Sequence, residues 1–170
     1  MIVIRHEKPE DIPLIYSVHE QAFKRDAEAG LADKLRQACA DHLSLVADDN
    51  GSIAGHIMFT PVLIKNGKVI QGMGLAPMAV LPSQQRRGIG TLLIQSGLQI
   101  LQDKGCPFVI VLGHPDYYRR VGFQPASGFN IKSQWEGVPD EAFMILVLDD
   151  KALRNVSGIA MFRDEFNTAL

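Results

Sequence analysis

Among 170 residues there are only two cysteines and one tryptophan, and lysine plus arginine (17) nearly balance aspartate plus glutamate (19). Cys39 and Cys106 lie far apart in helical or apolar contexts, which argues against a disulfide framework and for a reducing, cytoplasmic compartment. A net charge of -2 lacks the basic excess of a nucleic-acid surface, so no nucleic-acid partner is expected. No apolar run approaches the roughly 20 residues of a membrane span. The start, MIVIRHEKPED, is charged within a few residues and carries no signal-peptide core, so the expectation is a soluble protein with no membrane partner. H-E-x-x-H is missing, since HEQAF lacks the second histidine, and His6, His19, His42 and His56 have no metal-ligand spacing; no metal is expected. G-x-S-x-G and G-x-x-x-x-G-K-[ST] are missing too, which removes the footholds for serine hydrolase and Walker-type chemistry.

What is present is a chain with 46% hydrophobic residues, enough for a real core, and a length that points to one domain over residues 1–170. IVIRH (Ile2–His6) reads as a strand, and PEDIPLIYSVHEQAF as a helix with Ile12, Ile15, Tyr16, His19 and Phe23 on one face. KRDAEAG reads as a polar loop and Leu31–Ala40 as a short helix. Asn50-Gly51 and Lys65–Lys68 are turn signals joining three strands of a meander. Gly72, Gly74 and Pro77 make the third strand irregular and suggest a bulge. A helix over Thr91–Lys104, with a stripe of Ile89, Leu92, Leu93, Ser96, Ile100 and Leu101, ends at the cap signal Gly105. FVIVLG (Phe108–Gly113) reads as a strand buried on both faces, so Met78–Gly113 forms a parallel strand–helix–strand crossover. HPDYYRRVGF reads as a short helix ending at Gly122, and AFMILVL (Ala142–Leu148) and IAMF as further strands. The fold class is α/β (α+β): a mixed, mostly antiparallel twisted sheet with a central parallel crossover and helices on both faces.

The segment QQRRGIGTLL (Gln84–Leu93) places two arginines and two glycines between a strand and a helix. A helix N-terminus offers unpaired N–H groups and partial positive charge, which suit a phosphate. Gly88 and Gly90 let an anion approach the backbone, and Arg86 and Arg87 add forked donors. The dinucleotide fingerprint fails because position 93 is leucine.

The string Gln85-Arg86-Arg87-Gly88-Ile89-Gly90 resembles the Q/R-x-x-G-x-G/A signature of the GNAT superfamily of N-acetyltransferases. MAVLPSQQRRGIGTLLI is similar to that family's strand, Val-x-Pro, signature and helix in one run, and Tyr118 to Phe123 resembles its Tyr-x-x-x-Gly-Phe element. The resemblance is sharp over Leu75–Phe123 and follows the element order from Ile2. It implies a GNAT-like fold and transfer of an acetyl group from the co-substrate acetyl-CoA to a small-molecule or peptide amine by direct attack. Met78, Ala79 and Val80 would pair with the pantetheine arm. Gln85, Arg86, Arg87, Gly88, Ile89, Gly90 and Thr91 would seat the diphosphate. Tyr118 would protonate the leaving thiolate, with simple packing as its other role. Homodimers are common among such proteins, and nothing in these residues fixes a stoichiometry.

The resemblance leaves the base open. Met73–Leu81 carries no acid, and His114, Asp116 or a water chain are the candidates. Trp135 reads as a core or loop anchor, and Arg119 and Arg120 as a solvated helix face. Lys24–Gly30 and Gln124–Asp140 are candidate acceptor walls, where Asp26, Glu28, Glu136, Asp140 and the adjoining Glu141 would suit a cationic amine. Two alternatives stand beside the enzyme: a non-catalytic acyl-CoA-binding module with the same fold, and a protein for another phosphate ligand such as a nucleotide.

Overall fold

A computed structural model describes residues 1–168. Nine strands pair in the order β1-β2-β3-β4-β5-β8-β6, with β9 joined to β3 and β7 to β9; their ranges are Ile2–His6, Leu43–Asp49, Ser52–Asn66, Lys68–Val80, Phe108–Leu112, Gln124–Pro125, Ile131–Ser133, Phe143–Val147 and Gly158–Met161 for β1 to β9. The α-helices are α1 (Ile12–Phe23), α2 (Ala27–Ala38), α3 (Ile89–Asp103) and α4 (Pro115–Arg119). Most pairings are antiparallel; β4–β5 and the short β7–β9 are parallel. The expected mixed sheet with a parallel crossover is therefore observed. The chain divides into two compact units: residues 1–60, 76–97 and the stretch from Asp164; and residues 61–75 with 98–163.

In the first unit, β1 and β2 pair from Ile2↔Asp49 to His6↔Leu45, and β2 and β3 meet across Asn50-Gly51, both at positive φ. That geometry matches the right-handed twist of the flanking strands. Strand alternation separates the two faces. Val46 and its partner His56 face α1, where Ile15 and Val18 pack with Val46, Ile53 and Ala79. Ala47 and Gly55 face the other way: a Cβ on Gly55 would stand 3.1 Å from Leu93 Cδ1 and 3.3 Å from Ile89 Cγ2. Helices thus cover both faces of this unit.

Two sequence expectations change here. The stretch read as a polar loop, residues 24–30, is helical from Ala27 onward; Glu28 is buried because Arg25 pairs with it, and alanine propensity prevails over local polarity. The stripe of α3 is also shifted: Ile89, Leu93, Ile94, Leu98 and Leu101 are buried, whereas Leu92 is exposed.

In the second unit, β4 pairs in parallel with β5 through Met73↔Val109 and Gly74↔Ile110, and β5 pairs with β8 from Phe108↔Val147 to Leu112↔Phe143. Flanked on both sides, Phe108 to Val111 are buried, as the apolar run requires. The helix terminating at Gly105 closes with Cys106 N–H donating to Leu101 O (2.9 Å) and Gly105 N–H to Gln102 O (3.0 Å), a Schellman-type ending. Both cysteines are free: Cys39 is buried, and Cys106 donates its thiol to Phe108 O at 3.2 Å.

Candidate functional site

The residues expected to hold a phosphorylated ligand lie together on one run of chain in the first unit. β4 delivers Met78, Ala79 and Val80, Ala79 buried and its neighbours half-buried. A single 3-10 turn, Pro82–Gln84, ends the strand, and Gln85, Arg86, Arg87 and Gly88 follow as an exposed loop. The first α3 bond in the backbone runs from Leu92 N–H to Gly88 O at 3.0 Å, so the amides of Ile89, Gly90 and Thr91 precede the helical ladder. Ile89 turns its side chain into the core, which leaves its amide as the group able to face a ligand.

Two features of this loop were invisible in the sequence. Arg86 itself adopts φ +64°, a conformation that disfavours any residue bearing a Cβ, by roughly 1–2 kcal/mol. Side-chain amides also brace the loop: Gln85 Nε2 donates to Val80 O at 3.1 Å, and Arg87 Nη1 donates to Gln84 Oε1. Gly88 sits at φ +80° with nothing within 4 Å of the position a Cβ would occupy, so the space above it is open. A held, left-handed loop beside two arginines and a helix start brings together groups of the kind that can bind an anion.

Tyr118 belongs to the second unit. It lies on α4, is 8% exposed, and packs edge-on against Tyr117 (5.2 Å between centroids) and Phe123 (5.6 Å). Gly113 is where the chain passes under this ring, for a Cβ there would fall 2.4 Å from Tyr118 Cε2. Burial, and secondarily Tyr117, raises the phenol pKa, which keeps the hydroxyl protonated and able to donate.

The other sequence candidates separate on exposure and pairing. His114 and Asp116 are exposed at the start of α4. Arg119 and Arg120 are exposed, with the Arg120 guanidinium 5.6 Å from the Tyr117 ring centre. Trp135 rests against Phe162 at 5.2 Å, as a loop anchor would. Glu28 is taken up by Arg25, so it is withdrawn from the acidic wall suggested for a cationic amine.

A model of the acetyltransferase (GNAT) domain matches residues 3–126. The chain belongs to the GNAT acetyltransferases. This GNAT chain is 36% identical over 167 residues to YhbS of Escherichia coli K12, an N-acetyltransferase described as uncharacterized, across 98% of the chain and 99% of YhbS. It is also 40% identical over 117 residues to YjhQ of the same organism, covering 67% of the chain and 65% of YjhQ. The crystal structure of Escherichia coli YhbS in complex with CoA superposes with a TM-score of 0.90, covering 98% of this chain and 92% of that one. A GNAT acetyltransferase from Brucella melitensis in complex with acetyl-CoA gives 0.79 at 34% identity, covering 98% of both chains. The protein is thus an acyltransferase of the N-acetyltransferase type. No helix of the described residues is long and apolar enough to cross a membrane.

Proposed function

We propose that the protein moves an acetyl group from acetyl-CoA to a small-molecule or peptide amine by direct attack within a ternary complex. Met78, Ala79 and Val80 run alongside the pantetheine arm. Gln85, Arg86, Arg87, Gly88, Ile89, Gly90 and Thr91 hold the diphosphate through backbone amides and guanidinium groups. The observation that carries this reading is the loop: an arginine at φ +64° and a glycine at φ +80° set out at a helix start, exposed and braced by side-chain amides. That YhbS, alike over the full length, crystallised with CoA, and the Brucella melitensis protein with acetyl-CoA, supports the same ligand here.

The chemistry needs two proton movements. An alkylammonium, with a pKa of about 10.4, must lose a proton before its nitrogen can attack. The CoA sulfur, with a pKa of about 8.5 by analogy with cysteine, leaves as thiolate and takes a proton. Tyr118, protonated and buried, supplies the second proton. Backbone donors of the β4 segment favour the oxyanion formed at the thioester carbonyl.

Calorimetry with acetyl-CoA, CoA and ATP, followed by a thiol-release assay over an amine panel, tests the reading. Binding of both CoA species with turnover of at least one amine supports it. Binding of ATP alone rejects the CoA site. Binding of acetyl-CoA without turnover over a wide panel favours a non-catalytic acyl-CoA-binding module, a reading that the acid-free strand Met73–Leu81 keeps in view.

A further inference from the structure

A cavity of about 240 Å³ lies in the second unit, between the chain that joins β6 to β7 and the chain that joins β7 to β8. Ile131, Trp135, Val138 and Phe143 give it apolar walls, and Lys132 and Asp140 line it with one charge of each sign. Both charged side chains are exposed, and neither has a partner among the described residues. The walls are held by the chain's own bonds. Trp135 N–H donates to Ser133 Oγ at 3.0 Å, Phe162 N–H to Gln134 Oε1 at 2.5 Å, and Ala142 N–H to Pro139 O at 3.0 Å. Gly137 turns the chain between them at φ +76°.

The register of the strands sets this cavity at the same end of β5 as Tyr118. Phe143, one wall, pairs with Leu112. The next residue, Gly113, donates its N–H to Ala142 O at 3.0 Å and passes under the Tyr118 ring. Strand alternation turns Leu112 and Phe143 to one face of the sheet, and Gly113 with the ring over it to the other. A molecule seated against Phe143 must therefore reach past the end of β5 to bring a reacting atom to the phenol.

Size and charge narrow what fits. The cavity is smaller than the sites of about 300–1,000 Å³ that take drug-sized molecules. One cation and one anion suit a small zwitterion. A polyamine would be repelled by Lys132, and a dicarboxylate by Asp140. The apolar walls suit a hydrocarbon stem. An ammonium paired with a carboxylate is held protonated, so an amine bound at Asp140 is not the one that attacks. The attacking nitrogen must sit at the other end of the stem.

We propose that this cavity is the acceptor site and that the acceptor is a free diamino acid of the lysine or ornithine kind, acetylated on its side-chain amine. This rests on the acetyl-transfer reading above. Lys132 donates to the α-carboxylate, Asp140 accepts from the α-ammonium, and the methylene stem lies along Trp135, Val138 and Phe143. The side-chain ammonium gives a proton to solvent, and its nitrogen lone pair forms the C–N bond at the thioester carbon. The C–S bond breaks with its electron pair on sulfur. Sulfur takes the Tyr118 proton, and the second proton shed by nitrogen returns to Tyr118 through solvent. The products are one amide, the CoA thiol and one released proton.

The test compares lysine and ornithine with two molecules that each lack one head group. Cadaverine has no carboxylate, and 6-aminohexanoate has no α-ammonium. With acetyl-CoA, kcat/KM for lysine or ornithine should exceed that for either by about 10-fold or more. Lys132→Met should raise KM for lysine about 10-fold and leave cadaverine unchanged. Asp140→Asn should do the same for lysine and leave 6-aminohexanoate unchanged. Both positions are exposed, so both variants should keep the wild-type melting temperature. A readout apart from turnover is the emission of Trp135, the chain's one tryptophan, which lysine should change saturably in the wild type and more weakly in each variant. Emission that lysine leaves unchanged, cadaverine turned over as well as lysine, or acetyl found on the α-nitrogen by mass spectrometry overturns the assignment and leaves acetyl transfer standing. Saturable lysine binding with no amine acetylated overturns acetyl transfer and the acceptor role together, and leaves only a diamino-acid pocket.

Discussion

At position 88 the backbone needs a residue at ease at φ +80°, and the open space above it is where the diphosphate is assigned. Gly88→Glu adds backbone strain and a carboxylate facing phosphate charge. CoA binding should fall below detection by calorimetry; an unchanged affinity removes that assignment. Tyr118→Phe keeps the ring packed against Phe123 and deletes only the hydroxyl. Turnover should fall about 100-fold, with affinity for CoA unchanged, as read by steady-state kinetics beside calorimetry. The residue scale was only partly legible in the sequence. Gly88, Gly90 and Tyr118 stood out because their types and spacing resemble a known signature. The φ of Arg86 did not, because a dihedral is imposed by the turn around it. Neither did the His19–His56–Ser44–Glu7 chain, whose members lie 12 or 37 positions apart where they touch.

Among the elements, α3 carries at its start the loop assigned to the diphosphate and is seated by a close approach farther along. A Cβ on Gly97 would stand 2.4 Å from Phe59 Cε2, inside the same unit. Alanine gains about 1 kcal/mol over glycine in a helix interior, but an overpacked contact with a buried ring costs about 1–3 kcal/mol. Gly97→Ala should therefore lower stability by about 1 kcal/mol in urea unfolding, with weaker CoA binding if α3 shifts. Most elements were readable, since the turn at Asn50-Gly51, the β5 run and the Gly105 ending each combine pattern with turn chemistry. β6 and β7 were not, being strands of two and three residues, too short for any periodicity. The α3 stripe was misphased because Leu92 and Ile94 are equally apolar, and only packing decides which one is covered.

Over the whole molecule, the buried histidines make stability depend on pH. Burial, with His56 and Arg36 adding to it, holds His19 at about 3 against an ordinary 6.5. Above pH 6.5 both folded and unfolded chains carry it neutral, and its contribution is fully present. As pH falls from 6.5 towards 3, the unfolded chain binds a proton that the folded one refuses, and stability drops by about 1.4 kcal/mol per pH unit. His56 acts in the same direction. Burial pushes the Glu7 carboxyl up, but its hydrogen bonds from Arg36 and Ser44 prevail and hold it at about 2 against 4.5, which adds a further loss between those values. The melting temperature should be level from about pH 8 down to the histidine range and then decline, and His19→Gln should flatten the upper part of that decline. A decline of equal slope in that variant would place the buried charge elsewhere. Sequence patterning and turn signals were enough for the class of fold, and composition for a real core, but neither held a sign of this acid sensitivity, which arises only when the strands bring the rings together.

The state of the two thiols has a practical bearing on all these measurements. Cys39 is covered, and Cys106 is partly covered, its thiolate disfavoured by burial. A chromogenic disulfide reagent should therefore react with the protein itself slowly, so the colour that develops in the first seconds of an assay counts liberated CoA alone.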